Sequence, residues 1–170
     1  MKHFLAVATF LLVACSQETP PLSTTGGALD NFFAAAPEGP SVTVLEARKN
    51  PVAGSELVLR GRVKDFVRGR AAFSVIDPSL IACSDEGDPM EGACETPWDY
   101  CCVPSEERAA ASAMVELRNE QGVIKESAQG FRGLDHLDTV VARGTVELDA
   151  NGNLTLVARS LSFTKNVPTK

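Results

Sequence analysis

Apolar and polar residues alternate with a period of two in several short segments, and this alternation most constrains the fold. In residues 56–64 (ELVLRGRVK), Leu57, Leu59 and Val63 fall on one side of the chain and the basic residues on the other. This pattern is typical of a strand with one buried and one solvent-facing side. Residues 56–64 are therefore predicted as the first strand.

Four further segments with strand-like patterns complete a set of five predicted strands. They are residues 71–77, 113–118, 139–148 and 154–163. Gly61 and Gly144 lie inside strands one and four, as expected where a small barrel bends sharply. The alternation changes phase between Leu156 and Leu161, which predicts a bulge or a barrel corner. The predicted class is all-β, a small antiparallel barrel that is closed or nearly closed.

Smaller elements are predicted around the strands. Thr43 and Glu46 fit a capping box that opens a helix over residues 44–49. Ser105 is predicted to cap a second short helix that runs through Ala111. Three other segments complete the prediction: one helical turn at residues 30–36 that docks two phenylalanines, a long loop from 78 to 104, and a hairpin extension within 121–138.

Two hairpins resemble those of a known fold. Residues 57–63 followed by 73–77, and residues 137–146 followed by 154–157, resemble the first and last hairpins of an OB-fold. The resemblance extends over residues 55–165 and consists of apolar residues and glycines without a catalytic signature. It implies a five-stranded barrel of a kind that often binds ligands, single-stranded nucleic acid among them.

The N-terminus carries an export signal. A positively charged start leads into the apolar run FLAVATFLLV, which is too short to span a bilayer and is typical of a secretory signal. The following residues, Leu12-Val-Ala-Cys15, resemble the lipobox of bacterial lipoproteins. That resemblance implies cleavage before Cys15 and acylation of the cysteine, with palmitate among the attached chains. The expected organisation is a signal peptide at 1–14, a flexible tether at 15–40 and one OB-like domain at 41–170.

The lipid anchor sets the expected location. An acylated chain sits on a membrane without crossing it, here in the cell envelope and facing the periplasm. Ser16 after the cysteine resembles the outer-membrane sorting signal, which favours the outer over the inner membrane. The tether is rich in proline, glycine, serine and threonine, a composition that keeps a domain away from a bilayer. Removal of Lys2 with the signal makes the mature chain more negative than the full-length net charge of −6.

Export also determines how the remaining cysteines are interpreted. Cys83, Cys94, Cys101 and Cys102 are an even number of thiols in an oxidising compartment, where two disulfides are expected. Adjacent cysteines rarely bridge each other, so Cys101 and Cys102 are each expected to pair with Cys83 or Cys94, and the two arrangements stay open. The segment is interpreted as a stapled loop that is anchored by burial of two aromatic residues, Trp98 and Tyr100.

Metal and redox chemistry are the alternatives for this loop. Four thiolates are able to hold zinc or copper, but the spacing C-x10-C-x6-C-C lacks the paired C-x2-C of common zinc sites. No cluster of histidine or methionine supports copper. A redox motif of the form C-x-x-C is absent from the sequence. Asp85-Glu-Gly-Asp88 is acidic but does not match a calcium-binding loop.

No catalytic constellation is present in the sequence, and the protein is expected to be a non-enzyme without a cofactor. His136 lies between two aspartates, but neighbours on a loop do not place a base against a nucleophile. It is interpreted as a surface residue that leads into strand four. An acidic chain outside the cytoplasm also argues against a nucleic-acid-binding OB-fold, although this stays the third alternative.

A basic strand face next to the elaborated loop indicates a binding or scaffold module. The predicted partners, beyond the membrane, are an envelope protein, a glycan or a small anionic ligand. The predicted ligand-contacting residues are Arg60, Arg62, Lys64, Arg68, Arg70, Trp98 and Tyr100.

Overall fold

The computed structural model describes residues 27–85 and 94–166. Its strands are β1 (Val42–Thr43), β2 (Glu56–Phe66), β3 (Ala72–Ile76), β4 (Ser112–Asn119), β5 (Gly122–Val123), β6 (Thr139–Leu148) and β7 (Leu154–Thr164). Its α-helices are α1 (Val44–Lys49) and α2 (Ser105–Ala110), and short 3-10 turns occupy Asp30–Phe33 and Phe131–Gly133. Within these residues, no helix is both long and apolar enough to cross a membrane.

Five strands close into a barrel. The order around the barrel is β2–β3–β4–β7–β6, and β6 pairs with β2 to complete the circle. All neighbours are antiparallel except β4 and β7, which run parallel. This is the strand order of an OB-fold, so the predicted five-stranded OB-like barrel is confirmed. Its closure between β4 and β7 depends on the parallel register that begins at Met114 and Thr155.

The barrel interior is filled by alternate residues of every strand. Phe73, Leu117, Leu156 and Leu161 are among the side chains that lose all or nearly all contact with solvent there. The register of β6 against β7 shifts at Arg159, where β7 carries an extra residue. This bulge lets Leu156 and Leu161 both face inward, and it confirms the predicted change of phase.

Strand glycines lie where two backbones approach closely. A Cβ on Gly144 would lie 2.2 Å from the Val157 carbonyl oxygen, and one on Gly61 would lie 2.9 Å from Cβ of Val75. Neither distance is tolerated between non-bonded heavy atoms. Glycine at these positions is therefore required by the close approach of the neighbouring strand, while the predicted bends at these glycines stay a prediction.

The residues before the barrel are partly packed against it. Leu29 is fully buried. Phe33 contacts Phe131 in a tilted arrangement, with ring centroids 5.2 Å apart, and meets Phe163 edge-on at 6.2 Å. The predicted helical turn is confirmed as Asp30–Phe33, with its two phenylalanines on the core. The packed part of the chain thus begins before residue 41, the predicted start of the domain.

Helix α1 has the predicted capping box. Thr43 Oγ1 accepts from the Glu46 N–H, and the Glu46 carboxylate accepts from the Thr43 N–H. The prediction for α2 was wrong in one detail, because its N-cap is Pro104 without a side-chain cap, and Ser105 is the first helical residue. The two-residue strand β1 is additional. Strand β5 forms with β4 the short hairpin extension predicted after strand three.

Candidate functional site

The long segment between β3 and β4 packs on the outside of the barrel through a second apolar cluster. We refer to residues 78–104 as the cysteine loop. The cluster consists of Ile76, Leu80, Ala82, Tyr100, Ala111 and Leu137, with Val103 packed against it. It is separate from the barrel interior. The cysteine loop therefore has its own small core, with outward-facing Ile76 of β3 as part of its floor.

Tyr100 is the aromatic anchor of this small core. Its side chain is fully buried, and its hydroxyl finds no hydrogen-bond partner among the described residues. Burial raises the pKa of Tyr100 to about 12. Because the ring has no exposed surface, Tyr100 holds the loop in place and does not present a surface to a ligand.

Arg62 connects β2 to the start of the loop. Its Nη1 and Nη2 donate to the Asp85 carboxylate at 2.5 and 3.0 Å, a two-point ion pair. Burial alone would lower the pKa of Arg62, but the hydrogen bond to Asp85 and the nearby negative groups raise it. Arg62 was predicted to contact a ligand, whereas the structure engages its guanidinium within the protein. An acidic residue of the loop thus lies against the basic strand.

Further backbone and carboxylate contacts hold the described residues of the loop. The Cys83 N–H donates to the Asp99 carbonyl at 2.8 Å, and Arg108 Nη1 donates to the Tyr100 carbonyl at 2.9 Å. Asp77 accepts from the Leu45 N–H at 2.8 Å, which ties the start of the loop to α1. These contacts hold the two described parts of the loop, residues 78–85 and 94–104, on the domain.

Trp98 stands at the surface on a stack of rings. Its exposed fraction is 39%, and its ring lies 5.1 Å from the His136 ring at 30°. His136 in turn contacts Phe66 edge-on at 5.1 Å, and Phe66 lies 5.9 Å from buried Phe73. Burial of Trp98, which the sequence led us to expect, is therefore incomplete. The stack supports the indole from beneath and leaves part of it accessible.

A pocket of about 470 Å³ lies beside Trp98. It is lined by Ser84, Pro97, Trp98, Gln129, Asp135, His136, Leu137 and Asn166. Gln129 Nε2 donates to Asp135 at 3.3 Å, and the His136 N–H donates to the same carboxylate at 2.8 Å. Burial alone would raise the pKa of Asp135, but these hydrogen bonds hold it below its usual value. Asp135 and His136 are the ionisable side chains of this lining.

Asp138 holds two lining residues of this pocket, Asp135 and Asn166, in place, and sequence reasoning missed its role. The carboxylate is nearly fully buried and accepts from the Asp135 N–H at 2.9 Å, Lys165 Nζ at 2.8 Å and the Asn166 N–H at 2.9 Å. It therefore joins the segment before β6 to the end of β7. The signal was the pair of aspartates around His136, of which the sequence analysis assigned only His136, to the surface.

None of the other predicted basic residues lines the pocket beside Trp98. Arg60, Arg68 and Arg70 are exposed, while Lys64 pairs with Asp65. Arg60 and the turn that contains Arg68 and Arg70 are separated by about 20 Å of strand at 3.3 Å per residue. A ligand-binding role for these residues stays a prediction.

Three of the four cysteine sulfurs converge on one side of the loop. Cys101 Sγ lies 3.1 Å from Cys83 Sγ and 3.9 Å from Cys94 Sγ, and all three lie within 4.8 Å of one another. Cys102 Sγ is 4.0 Å from Cys101 Sγ. None of these sulfur pairs is at the bonded distance of about 2.05 Å. Burial raises the pKa of Cys83 to about 11. The predicted disulfides thus stay a prediction, and the sulfur triad is the only group of metal-ligating side chains found within residues 27–85 and 94–166.

Several predicted features lie outside the described residues. These are the signal peptide, Cys15 with the first part of the tether, and the acidic residues Glu86, Asp88 and Glu91.

Comparison with known proteins finds similar solved structures and assigns no activity. No protein-family model matches the chain, and no curated protein matches it. Among solved structures, the chain is similar to the hypothetical protein ygiW from E. coli, with 16% identity, a TM-score of 0.40, and coverage of 76% of this chain and 96% of that one. It is also similar to an OBody bound to hen egg-white lysozyme, with 14% identity, a TM-score of 0.42, and coverage of 78% and 100%. At such scores, the assignment as an OB-like barrel is based on the strand order itself.

Proposed function

We propose that the protein is a lipid-anchored binding module of the bacterial cell envelope that binds a glycan in the pocket beside Trp98. The anchor is the acylated Cys15, and the binding element is the OB-like barrel with its cysteine loop. The lipobox-like residues 12–15 support the location. The barrel supports a binding role in general, because folds of this kind bind ligands with their loops and strand faces.

The class of ligand is inferred from Trp98, which is partly exposed and lines the pocket. A sugar ring has an apolar face of C–H groups that packs on an aromatic ring, while its hydroxyls point sideways to polar groups. The pocket supplies such groups in Ser84, Gln129, Asp135 and Asn166. An aromatic platform with hydroxyl and amide neighbours fits an uncharged, hydroxyl-rich ligand.

Charge argues against a small anion in this pocket. Asp135 is held ionised by its hydrogen-bond donors, and none of the lining residues is lysine or arginine. An anion would therefore meet a negative charge without a compensating cation. The exposed arginines Arg60, Arg68 and Arg70 do not line this pocket. An uncharged glycan would not be repelled by Asp135.

Nucleic acid fits the described surface less well. Binding of single strands by an OB-fold requires aromatic side chains on which bases stack within a basic groove. Phe73 is fully buried and Phe66 is half-buried under His136, so neither offers a free face.

The chain offers its own probe for this proposal, because Trp98 is its only tryptophan. Titration with neutral hexose and N-acetylhexosamine oligosaccharides is expected to shift the Trp98 emission to shorter wavelength as a sugar covers the indole. Calorimetry on Trp98→Ala should then show at least a tenfold loss of affinity, and the matched control Arg60→Ser should bind like the wild type. If no oligosaccharide of this panel changes the emission or releases heat, the glycan proposal fails.

A further inference from the structure

We propose that Cys83, Cys94 and Cys101 form a binding site for a soft monovalent metal ion, copper(I). The three positions are distant in sequence, and the spacing gave no metal motif. The fold brings their sulfurs to within 4.8 Å of one another. The site is distinct from the pocket beside Trp98 and does not depend on the proposed glycan ligand.

The chemistry of the donors favours copper(I). All three are sulfur, and no imidazole or carboxylate joins them among the described residues. Thiolates are soft ligands that bind copper(I) in preference to hard cations such as magnesium or calcium. Hard cations require oxygen ligands, which this group lacks.

The number of donors separates copper(I) from zinc. Structural zinc sites are nearly always four-coordinate, whereas copper(I) is stable with three thiolates in a plane. Cys102 is near Cys101, with the sulfurs 4.0 Å apart, but it does not belong to the mutually close set. The site is therefore expected to have three protein ligands, with Cys102 outside it.

The distances fit an ion at the centre of the triad. Ligands at about 2.3 Å from a shared metal in a plane are about 4 Å apart. The Cys94–Cys101 separation of 3.9 Å already matches, and the Cys83–Cys101 separation of 3.1 Å must widen. Cys101 is exposed and Cys94 partly so, which permits that adjustment.

The three ligands of the site differ in burial. Cys83 is fully buried, and its backbone N–H is held by the Asp99 carbonyl, so this ligand is fixed in place. Cys94 and Cys101 reach solvent, so an ion or a donor molecule has access to two ligands before it meets the third. A fixed inner ligand with two accessible outer ligands is suited to taking up an ion from another carrier.

The first experiment asks what the full-length protein carries when it is isolated anaerobically from membranes. Thiols are counted with a chromogenic reagent and metals by elemental analysis. Copper bound near one per chain, or titratable thiols on all of the triad, is expected. If the thiols are absent and the cysteines are bonded in pairs, the proposal is overturned in favour of the disulfide prediction.

The second experiment measures affinity with the copper(I)–bicinchoninate complex as the probe, by loss of its absorbance. Cys94→Ser and Cys101→Ser, at accessible positions that should not disturb folding, are each expected to weaken binding at least tenfold. Cys83→Ser should do the same if its melting curve shows a folded domain. The matched control Cys102→Ser should remain within threefold of wild type.

Three results would contradict the assignment. They are failure of the wild type to remove copper from the probe, an equal loss in Cys102→Ser, or tighter binding of zinc than of copper(I). Failure of the glycan proposal would instead leave copper uptake intact and show in the Trp98 titration alone.

Discussion

The guanidinium of Arg62 and the carboxylate of Asp85 face each other in a two-point ion pair that joins β2 to the cysteine loop. The two distances are 2.5 and 3.0 Å, and the side chains are only 12% and 29% exposed. Asp85 also accepts from the Ala82 N–H at 2.8 Å. The pair is shielded from water, so it holds the beginning of the loop more firmly than an exposed pair would.

Breaking this pair should destabilise the domain. Asp85→Asn is expected to lower the free energy of unfolding by about 1–3 kcal/mol, because it leaves a largely buried guanidinium without its counter-charge. Urea denaturation measures the change. The matched control is Asp65→Asn, whose partner Lys64 forms a pair at the surface, and its cost should stay below about 1 kcal/mol. Equal costs for the two variants would show that the Arg62–Asp85 pair is no stronger than a surface pair.

The pH dependence of stability should reflect two carboxylates whose pKa values are lowered by folding. Burial alone would raise the pKa of Asp85 and Asp77, but hydrogen bonds from Arg62 to Asp85, and from the Leu45 and Ser79 N–H groups to Asp77, hold both pKa values below normal. A depressed folded pKa adds stability above the unfolded value of about 3.9 and loses it as the pH falls through the folded pKa. The melting temperature should therefore fall steeply below about pH 4, and Asp77→Asn should flatten that fall. An unchanged slope in Asp77→Asn would contradict the assignment.

Two substitutions of Tyr100 separate the contribution of its ring to stability from that of its hydroxyl. Tyr100→Phe should leave stability unchanged or raise it, because the buried hydroxyl finds no partner among the described residues. Tyr100→Ala should cost about 3–5 kcal/mol, because it empties the centre of the second core. Thermal and urea unfolding measure both variants. A loss of more than about 1 kcal/mol in Tyr100→Phe would reveal a hydrogen bond to the hydroxyl.

Gly144 should not tolerate a side chain. Gly144→Ala places a Cβ 2.2 Å from the Val157 carbonyl oxygen, so β6 and β7 must separate, at a cost of about 2 kcal/mol or more. The matched control is Gly27→Ala, where the added Cβ would meet only the Glu126 carboxylate at 3.7 Å. That variant should unfold like the wild type. If both variants melt at the wild-type temperature, the close approach is relieved at no cost.

The barrel was predictable because its signals are local. The alternation of residues 56–64 and 139–148 gives the strand faces, and the change of phase before Leu161 gives the bulge at Arg159. Thr43 and Glu46 define the start of α1 within four residues of sequence. The strand β1 was not predictable, because two residues carry no period and depend on pairing with β2.

The site was less predictable because it depends on tertiary contacts. Trp98 and Tyr100 are both large rings with a polar atom, so sequence does not tell which is buried. The convergence of Cys83, Cys94 and Cys101 likewise depends on how the loop packs over Ile76 and not on their spacing. His136 became part of a stack only because the chain before β6 lies beside Phe66.

The location of the protein underlies the glycan proposal, and it has one direct test. Mass spectrometry of the N-terminal peptide from the full-length chain, expressed in a bacterium and recovered from its membranes, is expected to show residues 1–14 removed and a lipid mass on Cys15. Cys15→Ser should remain uncleaved and unlipidated. Recovery of the wild-type chain from the cytosol with Met1 intact and Cys15 unmodified would contradict the account.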